Sequence, residues 1–160
     1  MTEGPWLNET EQRAWRAYLA MSKRLATHLS RDLQREFDLS PQDYEILVCL
    51  SEAPGRRMRA VELGRATEWE KSRLSHQLSR MERRGMVSRE PVPGVRYPEV
   101  VLTDRGLAAI TEAAPRHAAA VRAAFLDALG PERLDRFAEA CSAIARRVGA
   151  VEAERGDGPC

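Results

Sequence analysis

The stretch that most constrains the fold is Thr67–Arg84, TEWEKSRLSHQLSRMERR, closed by Gly85. Leu74, Leu78 and Met81 recur at spacings of four and three, which puts them on one helical face able to dock on a core. The rest of the surface carries Ser72, Arg73, His76, Gln77, Ser79, Arg80 and Arg83, all able to reach phosphates or base edges. Thr67 with Glu70 three residues on predicts a capping-box start, and Gly85 predicts the stop. Such a face is either a solvated charge run or a nucleic-acid contact, and the helix alone does not choose between them.

The next residues do choose. Met86–Arg89 reads as a short strand, Val92–Arg96 as a turn and Glu99–Leu102 as a returning strand, after which Thr103-Asp104-Arg105-Gly106 opens a further helix. A polar-faced helix followed directly by a basic hairpin is a winged helix-turn-helix, with the helix suited to the major groove and the wing to the backbone or minor groove. Upstream, Ser40-Pro41 starts a helix carrying Tyr44, Leu47, Val48 and Leu50, which Pro54-Gly55 breaks. Arg56, Arg57 and Arg59 are placed at the start of a third helix, with Val61, Leu63 and Ala66 facing inward. A helix start with arginines can clamp phosphate; solubilising charge is the equal alternative for any one of them.

Charge is distributed to match. From Pro54 to Arg96, eleven Lys/Arg against five Asp/Glu leave +6, so with a whole-chain net of +1 the remainder sums to −5. A basic excess confined to the motif is the electrostatic footprint of a polyanion partner. Candidate DNA contacts are therefore Arg56, Arg57, Arg59, Lys71, Ser72, Arg73, Ser75, His76, Gln77, Arg80, Arg96 and Tyr97.

The flanks predict long helices. Asn8 with Glu11 caps one that carries Trp15, Tyr18, Leu19, Leu25, Leu29, Leu33 and Phe37 and ends near Asp38. It is longer than one small core needs, which points to packing between subunits. Ahead of it, Met1–Leu7 is a short arm whose Trp6 and Leu7 are suited to pack across a dimer. After the wing, Leu107, Ile110, Ala114, His117, Val121 and Phe125 trace a fifth helix that Pro115 should kink or interrupt. Leu129-Gly130-Pro131 is a stop and restart, and Leu134, Phe137, Cys141, Ile144 and Val148 then form a narrow seam for a partner helix. Gly156–Cys160 is expected to be disordered.

The fold class is mainly α with a small β-hairpin wing: a winged helix-turn-helix core between N- and C-terminal dimerisation helices. The divisions are an arm and dimerisation helix over 1–38, the DNA-binding unit over 39–103, C-terminal dimerisation helices over 104–152 and a tail over 153–160.

Other chemistry finds little footing. No run is apolar enough to span a membrane and no signal-peptide region follows Met1, so a cytoplasmic protein is expected. Cys49, Cys141 and Cys160 have no paired spacing, and Cys49 and Cys141 read as apolar core residues. There is no catalytic Ser/His/Asp order, P-loop, HExxH or dinucleotide fingerprint, so neither an enzyme nor a cofactor is expected. His28, His76 and His117 lie in separate segments without metal-ligand spacing.

The run from Leu39 to Gly106 resembles the winged-helix core of the MarR family of bacterial transcriptional regulators. The resemblance rests on LSPQDYEILVCLSE, VELGRAT, KSRLSHQLSRMERRGMVSRE and VVLTDRG, and the flanking helices extend it to roughly residues 8–150. It implies a homodimeric regulator of double-stranded DNA, most often a repressor, on a pseudo-palindromic operator. It also implies a small-molecule pocket between the dimer-forming helices and the core. Trp15, Tyr18, His28, Tyr44 and His117 are the candidate lining for a small aromatic effector, with aromatic core residues and a satisfied histidine as the alternative. Some relatives sense metals, which leaves a site of His28, His117 and a carboxylate open. Others sense oxidants through a cysteine early in the first long helix, and this chain has none there. The family's wing usually has an Asp two residues before an Arg; here those positions are Gly94 and Arg96. A reading from another class is a winged module whose basic face binds an acidic protein; salt-dependent binding of duplex DNA separates the two.

Overall fold

The computed structural model describes residues 6–155. Most of the N-terminal arm and the expected disordered tail from Gly156 lie outside the described residues. Helix α1, Glu9–Phe37, opens as the Asn8 and Glu11 spacing predicts: Asn8 Oδ1 accepts from the Glu11 amide at 3.0 Å and Glu11 Oε2 from the Asn8 amide at 2.8 Å. It stops where Asp38 turns left-handed, φ 53°. Helix α2, Pro41–Glu52, has the same box from Ser40 and Asp43. A single 3₁₀ turn, Pro54–Arg56, follows.

The structure then departs from the sequence reading. Arg57–Arg59 forms strand β1, with only Arg59 at the start of the next helix as its N-cap; β1 is paired antiparallel with β3 (Glu99–Leu102), which also pairs with β2 (Val87–Glu90). The order β1-β3-β2 makes a three-stranded sheet rather than a bare hairpin. The cause is non-local: β3 has a free edge whose amides and carbonyls need partners, and a three-residue strand supplies them.

Helix α3 is Ala60–Thr67 and α4 is Lys71–Arg83, so the helix expected to begin at Thr67 begins at Lys71. Thr67 is not a cap: it ends α3, buried, with its hydroxyl donating to the Leu63 carbonyl at 2.9 Å. Glu68 turns left-handed, Trp69 N–H donates back to the Gly64 carbonyl at 3.0 Å, and Glu70 caps α4 through its backbone position alone. The inward positions of α3 are Leu63 and Thr67, four apart; Val61 is exposed, as is Ala66. Leu74, Leu78 and Met81 are buried as predicted.

Helix α5, Asp104–Val121, runs on through Pro115 instead of breaking there. Pro115 and Thr111 four residues before it are both on the exposed side, where water can satisfy the carbonyl the proline leaves without a donor. The irregularity comes later, as a π-helical turn at Arg122–Leu126 leading into α6 (Asp127–Leu129). Gly130 separates these from α7, Pro131–Arg155.

The core lies between α2, α3, α4, the sheet and α5, with Leu39, Ile46, Leu47, Leu50, Leu63 and Met81 fully buried. At the sheet–α5 junction Gly106 is required by space: a Cβ there would collide with the Met86 carbonyl and lie 2.7 Å from Leu102 Cδ1. By contrast the outer helices carry apolar groups that nothing among the described residues covers. Trp6, Trp15, Tyr18, Leu19, Ile144 and Val148 are all exposed.

Candidate nucleic-acid interface

Two elements present the basic surface. The first is α4, whose Lys71, Ser72, Arg73, Ser75, His76 and Arg80 are exposed opposite the buried Leu74–Met81 face. The second is the wing, where Val92–Val95 form a turn closed by Val95 N–H to the Val92 carbonyl at 3.0 Å. Pro93 and Gly94 (φ 76°) occupy its centre, as a type II turn requires. Arg96 and Tyr97 follow, both exposed, with the Arg96 guanidinium 5.5 Å from the Tyr97 ring centroid.

Ion pairing divides the arginines. Arg57 lies 3.5 Å from both Glu90 and Glu99, across the sheet, so it staples strands. Arg89 is 2.7 Å from Glu82, tying β2 to α4. Among the described residues, Arg56, Arg59, Lys71, Arg73, Arg80 and Arg96 have no carboxylate partner at ion-pair distance and remain available to phosphate. Arg56 stands in the turn before β1, whereas Arg59, the last residue of β1, is also the N-cap of α3. The Arg73 guanidinium sits over the Trp69 ring, 4.2 Å from its centroid.

Gln77 must be withdrawn from the base-reading set. It is buried, and its amide nitrogen donates to Asp43 Oδ1 at 2.7 Å. Asp43 is 2% exposed and is the hub of a strut that sequence reasoning missed. Its other carboxylate oxygen accepts from the Ser40 amide at 2.9 Å and from Arg84 at 2.8 Å. Arg84 also donates to the Asp38 backbone carbonyl and meets its carboxylate at 3.2 Å. The first turn of α2 and the C-cap of α1 are thereby bolted to the middle and the C-terminal cap of α4. The separations involved, 34 and 41 residues, leave no local signature; only the Ser40 cap hinted that Asp43 is turned inward.

The five effector candidates do not converge. Tyr44 and His117 meet, ring centroids 4.4 Å apart and both half-buried. A cavity of about 210 Å³ beside them is lined by Asp32, Leu33, Glu36, Phe37, Arg116, His117 and Ala120. Burial holds the His117 pKa below its ordinary value and pushes that of Tyr44 up, with Glu52 adding to the latter. Trp15 and Tyr18 stack on each other at 5.5 Å, exposed, with Trp15 about 27 Å along α1 from Leu33 at 1.5 Å per residue. His28 is exposed, 3.7 Å from Asp32 on its own helix. No cluster of three or more His, Cys, Asp or Glu able to hold a metal occurs among the described residues. Of the cysteines read as core, Cys49 is half-buried, with its thiol pKa raised chiefly by burial, whereas Cys141 is exposed.

Of the expected interface residues, Trp6 and Leu7 are exposed, Leu134 and Phe137 half-buried, and Cys141, Ile144 and Val148 exposed in the single chain. Phe137 packs edge-to-face on Phe125 at 5.3 Å, which anchors the start of α7 while the rest of its seam stands bare.

A helix-turn-helix with a three-stranded wing, flanked by long helices, defines a winged helix-turn-helix protein of the DNA-binding type. A sequence profile described as MarR family matches residues 37–96. The chain is similar to AbsC, a MarR family transcriptional regulator from Streptomyces coelicolor, with 46% identity over 89% of this chain and 97% of that one and a TM-score of 0.85. It is also similar to Sco3205, another MarR family transcriptional regulator from Streptomyces coelicolor, solved in complex with DNA (38% identity, 91% of each chain, TM-score 0.84). At 17% identity and a TM-score of 0.75, BpsR of Bordetella bronchiseptica shares the fold over 89% of this chain and 98% of its own. A comparison with curated proteins gives no match. The chain belongs to the MarR family of transcriptional regulators.

Proposed function

We propose that the protein is a transcriptional repressor that binds a pseudo-palindromic operator as a homodimer and is released by a small aromatic effector. The observation that carries the reading is the row of exposed, unpaired basic groups on α4 and the wing, held in place by the Asp43 strut. Residues 39–103 serve as the DNA-binding unit, and 1–38 and 104–152 as the dimerisation helices, their bare apolar positions facing a second copy. Sco3205, 38% identical, is known in complex with DNA, which supports the polyanion reading of the same surface. No described helix is long and apolar enough to cross a membrane, in keeping with work on cytoplasmic DNA.

The effector reading rests on the cavity lined in part by His117, whose ring packs on Tyr44. BpsR, a likeness of fold only, has its DNA binding regulated by 6-hydroxynicotinic acid. An effector that releases DNA must bind the DNA-free form more tightly. Aromatic acids screened by thermal shift and operator release should include such a ligand, and His117→Ala should blunt its effect; an unchanged response would misplace the pocket.

Within the interface, Arg73 projects from the first turn of α4, where a recognition helix reaches base edges. Its fork suits the two acceptors of a guanine. The test uses DNA fragments selected by the purified protein, with binding to operator and scrambled duplexes followed across a salt series. Arg73→Ala should cost about 1–3 kcal/mol on the operator and relax preference at one base pair per half-site. Half-sites about one helical turn apart, roughly 34 Å, should be protected together. Equal loss on both duplexes would reduce Arg73 to a phosphate anchor.

A further inference from the structure

The turn Glu68–Glu70 does more than join two helices, because it aims one ring. Trp69 is tethered by the hydrogen bond from its backbone N–H to the Gly64 carbonyl and packs half-buried against the core, so the indole cannot wander far. Arg73, four residues on, lays its guanidinium over that ring at 4.2 Å. Three other arginines of this region, Arg57, Arg84 and Arg89, are each held by carboxylates. A carboxylate occupies the very N–H groups that a base would need. An aromatic face instead holds the guanidinium through its flat side and leaves the donor edge free. Glu45 on α2, whose pKa burial raises and Arg73 only partly offsets, is not within ion-pair distance of that guanidinium.

We propose that Trp69 is the positioning residue for base reading: its indole seats the Arg73 guanidinium, donor edge outward, before DNA arrives. The inference rests on the reading of Arg73 as a guanine contact. An arginine left to its own rotamers loses side-chain freedom on binding, and a preformed seat removes part of that cost from the specific complex. Non-specific complexes, which need only a cation near a phosphate, gain little from the seat. Trp69 therefore acts on the difference between operator and other DNA rather than on affinity at large.

The experiment compares Trp69→Leu, which keeps apolar bulk, with Trp69→Phe, which keeps a ring, and with Arg73→Ala. Each is measured on the selected operator, on operators changed at single base pairs and on a scrambled duplex, with circular-dichroism melting as the folding control. Trp69→Leu should lose about fivefold in preference at the same base pair that Arg73→Ala relaxes, the factor a cation–π contact carries, with scrambled-duplex affinity unchanged. Trp69→Phe should keep most of the preference, and adding Trp69→Leu to Arg73→Ala should change nothing further. Should Trp69→Leu fail to fold, the series Trp69→Tyr and Trp69→Phe carries the test, since preference must fall with the ring's cation affinity. A folded Trp69→Leu that keeps the base preference, or that loses both duplexes equally, overturns the inference while Arg73 stands. If Arg73→Ala itself leaves every base preference intact, the underlying reading fails and the seat falls with it.

Discussion

At the scale of single residues, Asp43 and His117 carry the sharpest expectations. Asp43 combines a helix cap, an amide and a guanidinium on one carboxylate with almost no access to water. Asp43→Ala strands Gln77 and leaves Arg84 without its inner partner. It should cost about 3 kcal/mol in denaturant unfolding, the low end for a broken buried pair because Arg84 keeps some access to solvent. Asp43→Asn should cost less, since the amide can still accept from Ser40 or Gln77. For His117, burial lowers the pKa below the ordinary 6.5. Below that value the unfolded chain takes up a proton that the folded chain resists, so the contribution is complete above it and is lost on acidification. The melting temperature should fall between about pH 7 and about pH 5 more steeply in the wild type than in His117→Phe. Parallel curves would mean that this ring does not couple to folding.

At the scale of elements, what the sequence revealed depended on the range of the interaction. Helices α1, α2 and α5 were legible because caps and periodicity are local: Asn8 and Ser40 cap as expected, and a helix opens at Thr103-Asp104. Strand β1 was not legible, because Arg57–Arg59 has no pattern of its own and exists only through its pairing with β3. Gln77 misled because a polar residue beside a buried stripe looks outward until its partner, 34 residues away, is known. The sheet and α5 meet at Gly106, where no side chain fits against Met86 and Leu102. Gly106→Ala should force these elements apart and cost about 3 kcal/mol, measured by urea unfolding. The wing is expected to act as an electrostatic element: Arg96 has no carboxylate partner at Gly94 to orient it. Arg96→Ala should weaken operator and scrambled duplexes alike and flatten the salt slope by roughly one unit. A loss confined to the operator would make the wing a reader.

At the scale of the molecule, the apolar groups left bare on α1 and α7 are what a single chain cannot explain. Leu134→Asp or Phe137→Asp should place a charge in the proposed seam, shift the light-scattering mass from dimer to monomer and abolish operator binding. A wild type that scatters as a monomer at micromolar concentration would remove the basis for that expectation. Helix α7 has a further consequence. It is 25 residues long and anchored in its own chain at Phe125–Phe137, with Cys141, Ile144 and Val148 uncovered. In the proposed homodimer its order would depend on how often another copy is within reach, so mass action would enter the folding equilibrium itself. Dilution should lower the melting temperature, and a cell holding few copies would tune how much competent protein it has by abundance as well as by ligand.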